Sequence, residues 1–195
     1  MLFTNSCLVG FESTVTLLEQ STGATIAKSQ VSIANRIRTR PHAVVVYDTF
    51  NNPFYPIDYP KIDSAKFDLP KIALRFWELY NVPKGTMLPW HYVIEFIGDR
   101  YYALVTRPID LRFPDPGVAV DELKHYDVGD IIHIAVIGDS NIDVYTKQFY
   151  QVLTEFCINP ILRRYRLPEI VGKTVIFLRP GKRMNVSAVQ GMLGR

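Results

Sequence analysis

Cysteine is nearly absent from this chain: Cys7 and Cys157 are the only two, far apart and in no metal-like spacing. That excludes a disulfide framework and a Cys-rich zinc module, and it fits synthesis in a reducing compartment. Histidine is scarce too, with His42, His91, His125 and His133 scattered along the sequence. No apolar run approaches the length that spans a bilayer, so membrane insertion is not expected. The N-terminus is neither basic nor followed by a signal-type apolar core, and cytoplasmic synthesis without a signal peptide is the expectation. A Gly-rich phosphate loop opening a helix is missing, as is the aromatic and basic interleaving of a nucleic-acid module, so nucleic acid is not an expected partner.

What is present is a chain of 195 residues, 48% of them hydrophobic, enough for one domain with a core and an extension. The net charge of +3 conceals a polarity. Acids dominate from Asp110 to Asp143, and bases dominate from Arg163 to Arg183. Such polarity favours head-to-tail or hetero-association over nucleic-acid binding, which wants a wider basic surface. Other protein subunits are therefore the expected partners, in a homo- or hetero-oligomer.

Hydrophobic periodicity marks the elements. Ala43 to Phe50 reads as a strand, Asn51 to Pro60 as a loop pinned by prolines and aromatics, and Pro70 as the first turn of a helix. That helix carries Ile72, Phe76, Leu79 and Tyr80 on its inner stripe and ends at Asn81-Val82-Pro83. A hairpin follows. With Gly98-Asp99 as the turn, Tyr92, Ile94 and Phe96 share a face with Tyr101, Ala103 and Val105, while Glu95 falls opposite Tyr102 and His91 opposite Thr106. Ile131 to Ile137 is a β-branched run entering a turn at Gly138-Asp139. Ile142, Tyr145, Phe149, Val152, Leu153 and Phe156 then recur at helical spacing until Asn159-Pro160 interrupts, and Thr174 to Leu178 is a last strand. Gly138-Asp139-Ser140 is similar to the nucleophile block of GDS-type esterases, but no histidine follows His133 to activate Ser140. A strand-to-helix turn, with Asp139 or Ser140 capping a helix from near Ile142, accounts for it.

Three regions result. Residues 1–40 form an N-terminal extension or added hairpin, in which Arg36, Arg38 and Arg40 alternate and in an extended chain point the same way. Residues 41–180 form an α/β domain. Residues 181–195 lose periodicity and read as an extended tail carrying Lys182 and Arg183, an arm of the kind that orders against another subunit. The five bases Arg36, Arg38, Arg40, Lys182 and Arg183 are the candidate assembly contacts.

The order Ile-x-Ile-x-x-x-Gly-Asp, a helix after Tyr145-Thr146, then Tyr165-x-x-Pro168-x-Ile170-x-Gly172, resembles the end of the type 2 N-acetylmuramoyl-L-alanine amidases, which share a fold with peptidoglycan recognition proteins. Pro89 to Val105 is similar to that family's central hairpin and Ala43 to Phe50 to its first strand, so the resemblance covers residues 40–185. It implies a mixed central sheet flanked by helices. It also implies where zinc ligands belong, and there the chain departs from the pattern. Tyr47-Asp48 stands in place of the first ligand histidine and Lys173 in place of the second. Arg179-Pro180-Gly181 stands where an Asp or Cys precedes Pro-Gly. The expectation is no catalytic residues, no metal and no cofactor. Tyr47, Asp48 and Lys173 either converge on the vacated site, closed by a Lys173–Asp48 ion pair, or never meet. In the family the second face of the sheet lines the substrate groove, which makes His91, Glu95 and Tyr102 the groove-binding candidates. A pseudoenzyme serving as a structural subunit, in a phage virion (tail, neck or baseplate), is the leading expectation. Non-catalytic peptidoglycan binding and an amidase with unorthodox ligands are the alternatives.

Overall fold

The computed structural model describes Arg38, residues 40–57 and residues 68–194. Apart from Arg38 and Arg40, the expected N-terminal extension, Arg36 included, lies outside the described residues, as does part of the loop expected at 51–60. Five strands, β1 (Val44–Asp48), β2 (Tyr92–Ile97), β3 (Arg100–Val105), β4 (Ile132–Val136) and β5 (Val175–Phe177), form one mixed sheet in the order β3-β2-β4-β1-β5. β4 runs parallel to both β1 and β2, β5 runs parallel to β1, and β3 is an antiparallel edge. The protein is an α/β fold with a mixed sheet flanked by helices, as the sequence leads one to expect.

β1 and β4 are buried along their whole length, which is why they read as continuous apolar runs rather than as alternating ones. One face of the sheet packs Val45, Tyr47, Val93, Ala135 and Ile176 under helix α1 (Leu69–Leu79), the loop through Phe54 and Ile57, and the chain through Phe113 and Leu123. The other face packs Val44, Val46, Ile94, Ile134 and Val175 under the C-terminal helices α2 (Lys147–Gln151), α3 (Asn159–Tyr165) and α4 (Val186–Gln190). The hairpin has the expected register, Ile97 opposite Arg100 and Glu95 opposite Tyr102. Among the described residues, no helix is long and apolar enough to cross a membrane.

Local departures have local causes. α1 begins with Pro70 in its first turn, but Leu79 is 42% exposed and Leu69, Ala73 and Trp77 join Ile72 and Phe76 on the inner side. The helix expected from Ile142 starts at Lys147, leaving Ile142 66% exposed. Between α2 and α3 the backbone widens into π turns over Val152–Ile158, where the Asn159 N–H reaches back to the Thr154 carbonyl. Pro160, just beyond, has no N–H to offer an ordinary turn, and Thr154 Oγ1 takes up the Tyr150 carbonyl at 2.6 Å. The wide turn buries Cys157 and Ile158 and leaves Phe156 exposed, so the simple helical stripe fails there. Residues 181–194 do not form the extended tail expected from 181 onward. They fold back through α4, and Met184, Val189 and Leu193 complete the second core.

Candidate functional site

In open α/β sheets, ligands collect outside the carboxyl ends of the parallel strands. Here those ends bring together Asp48 of β1, Glu95 of β2, Gly138-Asp139-Ser140 after β4 and Leu178 to Gly181 after β5. Asp48 ends an apolar strand inside the protein, and a buried carboxylate must find donors. It finds them on two other segments. Oδ2 accepts from Ser140 Oγ at 2.5 Å, Ser140 N–H at 3.1 Å and Asn51 Nδ2 at 3.0 Å, and Oδ1 accepts from Asn51 N–H at 2.5 Å. Ser140 Oγ in turn accepts from Gly181 N–H at 2.6 Å, and the Ser140 carbonyl accepts from Arg183 N–H at 3.1 Å. Asn51 Nδ2 also reaches Asp139 Oδ1 at 3.0 Å, and Asp139 receives the Asn141 N–H at 2.9 Å. The result is a knot that ties β1, the turn after β4 and the loop after β5. Its polar atoms are consumed by one another. Ser140 is fully buried without a histidine partner, so its hydroxyl serves the knot rather than a nucleophilic role. Asp139 caps the turn over Asn141 and Asp143 instead of a helix.

Tyr47 is next along the strand from Asp48 and points to the opposite face. Its hydroxyl donates to His133 Nδ1 at 2.9 Å, because His133 Nε2–H is committed to the Val128 carbonyl at 3.1 Å. Phe113 stacks on the His133 ring at a 3.5 Å centroid distance and 8° between planes. His91 Nδ1 accepts the His133 N–H at 3.0 Å, which leaves its ring proton on Nε2, 2.9 Å from the Leu111 carbonyl. Arg38 Nη2 lies 2.7 Å from that same Nε2 and donates to the same carbonyl at 2.8 Å. A second proton on His91 would face the His133 N–H and the Arg38 cation. Burial first, and then the Arg38 charge, hold His91 well below the usual histidine range; burial does the same to His133. Both rings are neutral struts. Burial also lowers Arg38 to about 10.

Glu95 points from β2 to the start of α1, where its Oε1 accepts the Asp68 N–H at the helix N-terminus. It is 1% exposed, and burial pushes its carboxyl up to about 7, with the neighbouring Asp68 charge adding in the same direction.

The sequence-derived candidates divide accordingly. Tyr47 and Asp48 are adjacent but face opposite cores, and Lys173 joins neither. Val44 pairs with Val175 and Val46 with Phe177, which sets Lys173 beyond the N-terminal end of β1 while Asp48 ends the strand. Lys173 is exposed and its carbonyl accepts from the Tyr126 hydroxyl at 2.7 Å, so of the two alternatives the geometry matches the second: the three residues do not meet and no Lys173–Asp48 ion pair forms. Of the groove candidates, Glu95 and Tyr102 sit directly across the hairpin, with His91 on the same face. His91 and Glu95 are buried beneath the first core, and Tyr102 is 44% exposed. Arg38 is inside the protein and is no free arm, whereas Arg40 is exposed and donates to the Tyr165 carbonyl at 3.0 Å. Lys182 and Arg183 are exposed, on a loop pinned by Gly181 rather than on a tail. Sequence reasoning missed Asn51 and assigned Ser140 to a helix cap. The signal was a carboxylate closing an apolar strand, which had to be met by donors from elsewhere.

No family model matches the chain, and no curated protein does. Among solved structures it is similar to the N-acetylmuramoyl-L-alanine amidase LysC from Clostridium intestinale URNW, at 14% identity and a TM-score of 0.49 over 81% of this chain and 89% of that one. It is similar as well to the endolysine N-acetylmuramoyl-L-alanine amidase LysCS from the same organism, at 14% identity and a TM-score of 0.47 over 81% of this chain and 88% of that one.

A zinc amidase centre requires three nitrogen, oxygen or sulfur donors that converge and leave a fourth position open. The residues at the positions implied by the sequence resemblance do not fit that ion. Tyr47 is spent on His133, both oxygens of Asp48 are spent on Asn51 and Ser140, Lys173 is at the wrong end of its strand, and Arg179 brings a cation. Among the described residues, no three His, Cys, Asp or Glu side chains gather as a metal-binding group.

Proposed function

We propose that this chain is a non-catalytic α/β protein that works as a structural subunit of a larger assembly, with a phage virion as its setting. The observation that carries the reading is the Asp48–Ser140–Gly181 knot. It occupies the carboxyl ends of the parallel strands, where an α/β enzyme keeps groups free for substrate, and spends its donors and acceptors on internal bonds. Its gain is rigidity, because three segments distant in sequence are locked to one point.

Exposed apolar side chains around this end support the same reading. Phe50 is 48% exposed and Ile142 and Val144 are each 66% exposed, and all three belong to the turns that the knot fixes. Exposed apolar residues clustered on a rigid frame mark contact surfaces rather than catalytic clefts.

The test is a hydrolysis assay on purified peptidoglycan, run with metal analysis of the dialysed protein. The expected result is no release of peptide from glycan, with or without added zinc. Hydrolysis abolished by a chelator, with about one zinc per chain, would replace this reading by the amidase. Sedimentation of the protein with intact peptidoglycan, lost on substitution of Tyr102, would replace it by the cell-wall binding module.

A further inference from the structure

Among the described residues, two exposed loops of opposite charge carry side chains that join no ion pair. The first leads into β4. It carries Asp115, Asp121 and Glu122, all exposed, and Val118, 40% exposed. It is rigidly held: Val120 and Leu123 are buried in the first core, the Tyr55 hydroxyl donates to the Pro114 carbonyl at 2.5 Å, and Asp115 Oδ1 receives the Gly117 N–H at 2.8 Å. Lys124 is the base that follows it. The second loop leaves β5 at its carboxyl end and carries Arg179, Lys182 and Arg183, all exposed. It too is fixed, by Gly181 N–H on Ser140 Oγ at 2.6 Å, by Arg183 N–H on the Ser140 carbonyl at 3.1 Å, and by buried Leu178 and Met184 on either side. Arg179 holds a left-handed backbone, φ 46°, which a non-glycine residue adopts only under the constraint of its surroundings.

Among the described residues, none of these six charged side chains is in an ion pair. Asp143 feels the charge of Arg183, but its Oδ2 is turned inward to the Asp139 N–H at 2.7 Å. The two loops thus offer three negative and three positive charges on a held backbone. Exposed apolar side chains flank each of them, Val118 on the acidic loop and Phe50 and Ile142 around the basic one. An ordered loop backbone has little further entropy to lose on docking, and surface charges of opposite sign steer encounter.

We propose that the acidic loop of one copy docks on the basic loop of a second copy. The proposal rests on the assembly reading above and names its partner. The two surfaces are different patches of the same chain, so a contact not reciprocated within one pair is heterologous, and its repetition builds a ring or an open filament.

The experiment is sedimentation velocity of the full chain from about 1 to 500 µM, a range that captures micromolar to millimolar contacts. Low salt is compared with about 0.5 M salt, where surface charges are screened. Two variants accompany it, Asp115→Lys/Asp121→Lys/Glu122→Lys and Arg179→Glu/Lys182→Glu/Arg183→Glu. The parent protein is expected to grow past the dimer with concentration and to fall back toward 22.3 kDa in high salt. Each variant alone, with like charges on both loops, is expected to remain monomeric. Their equimolar mixture restores opposite charges at every junction and is expected to associate again. Should a reversed variant melt early, the neutral set Asp115→Asn/Asp121→Asn/Glu122→Gln takes its place and is expected to weaken association. A parent that stays monomeric at low salt overturns the proposal, and so does a folded variant that associates like the parent or a folded mixture that does not associate. A monomer without hydrolytic activity defeats only this contact and leaves assembly with a different protein. Zinc-dependent hydrolysis defeats the assembly reading itself.

Discussion

Asp48 and Ser140, ninety-two residues apart, share a hydrogen bond of 2.5 Å in the interior. Through it the end of β1 is joined to the turn after β4, and Gly181 N–H, 2.6 Å from the same hydroxyl oxygen, adds the loop after β5. The hydroxyl has thereby spent its one proton on the carboxylate and accepts from the amide.

Ser140→Ala strands one acceptor on Asp48 and the Gly181 N–H, both buried. The expected cost is about 1–3 kcal/mol, read from urea unfolding. Gly181→Ala is expected to cost more, since a Cβ there would fall on the Ser140 backbone. A loss below that of Ser140→Ala would mean that the loop shifts freely.

Glu95 makes the protein sensitive to pH in a defined direction. Its folded value, about 7, is above the ordinary 4.5, so the contribution it makes to stability is complete below about pH 4.5 and is lost as pH rises through 7. His91 and His133 act oppositely: their lowered values favour the fold above the ordinary histidine value of 6.5, an advantage lost as pH falls. The clean measurement is therefore a difference. Glu95→Gln is expected to gain on the parent as pH is raised from 5 to 8, by chemical denaturation at each pH. A gap independent of pH would show that Glu95 titrates normally.

Removing residues 184–195 takes Met184, Val189 and Leu193 out of the second core. Large apolar truncations each cost on the order of 2–5 kcal/mol, so the shortened protein is expected to melt well below the parent by calorimetry. Unchanged melting would restore the picture of a detached arm.

Ile94 is fully buried and Phe96 half-buried on the same face of the hairpin. Ile94→Ala is expected to cost about 2–5 kcal/mol. Phe96→Ala is expected to cost less, as the loss of one exposed flank against Tyr101 at 4.8 Å. Equal effects would contradict the burial gradient toward the turn.

The sequence by itself determined what is local. Gly98-Asp99, read as a two-residue turn, set the hairpin register to the residue, because a slip by one exchanges its faces. The runs Val44–Val46 and Ile132–Val136 declared strands buried on both sides, and Pro70 announced its helix. Tertiary structure decided what depends on alignment between distant segments. Parallel strands are joined by long crossovers, so nothing near Thr174 to Leu178 states which residue of β1 each will meet. The register Val44–Val175 alone separates Lys173 from Asp48. In the same way, the low polarity of β1 made a partner for Asp48 obligatory but could not name Ser140. A side chain such as Arg38, legible as an exposed base, became an interior one because the Leu111 carbonyl was waiting across the fold. Local propensity acts through neighbours in sequence, whereas burial and hydrogen-bond satisfaction act through neighbours in space.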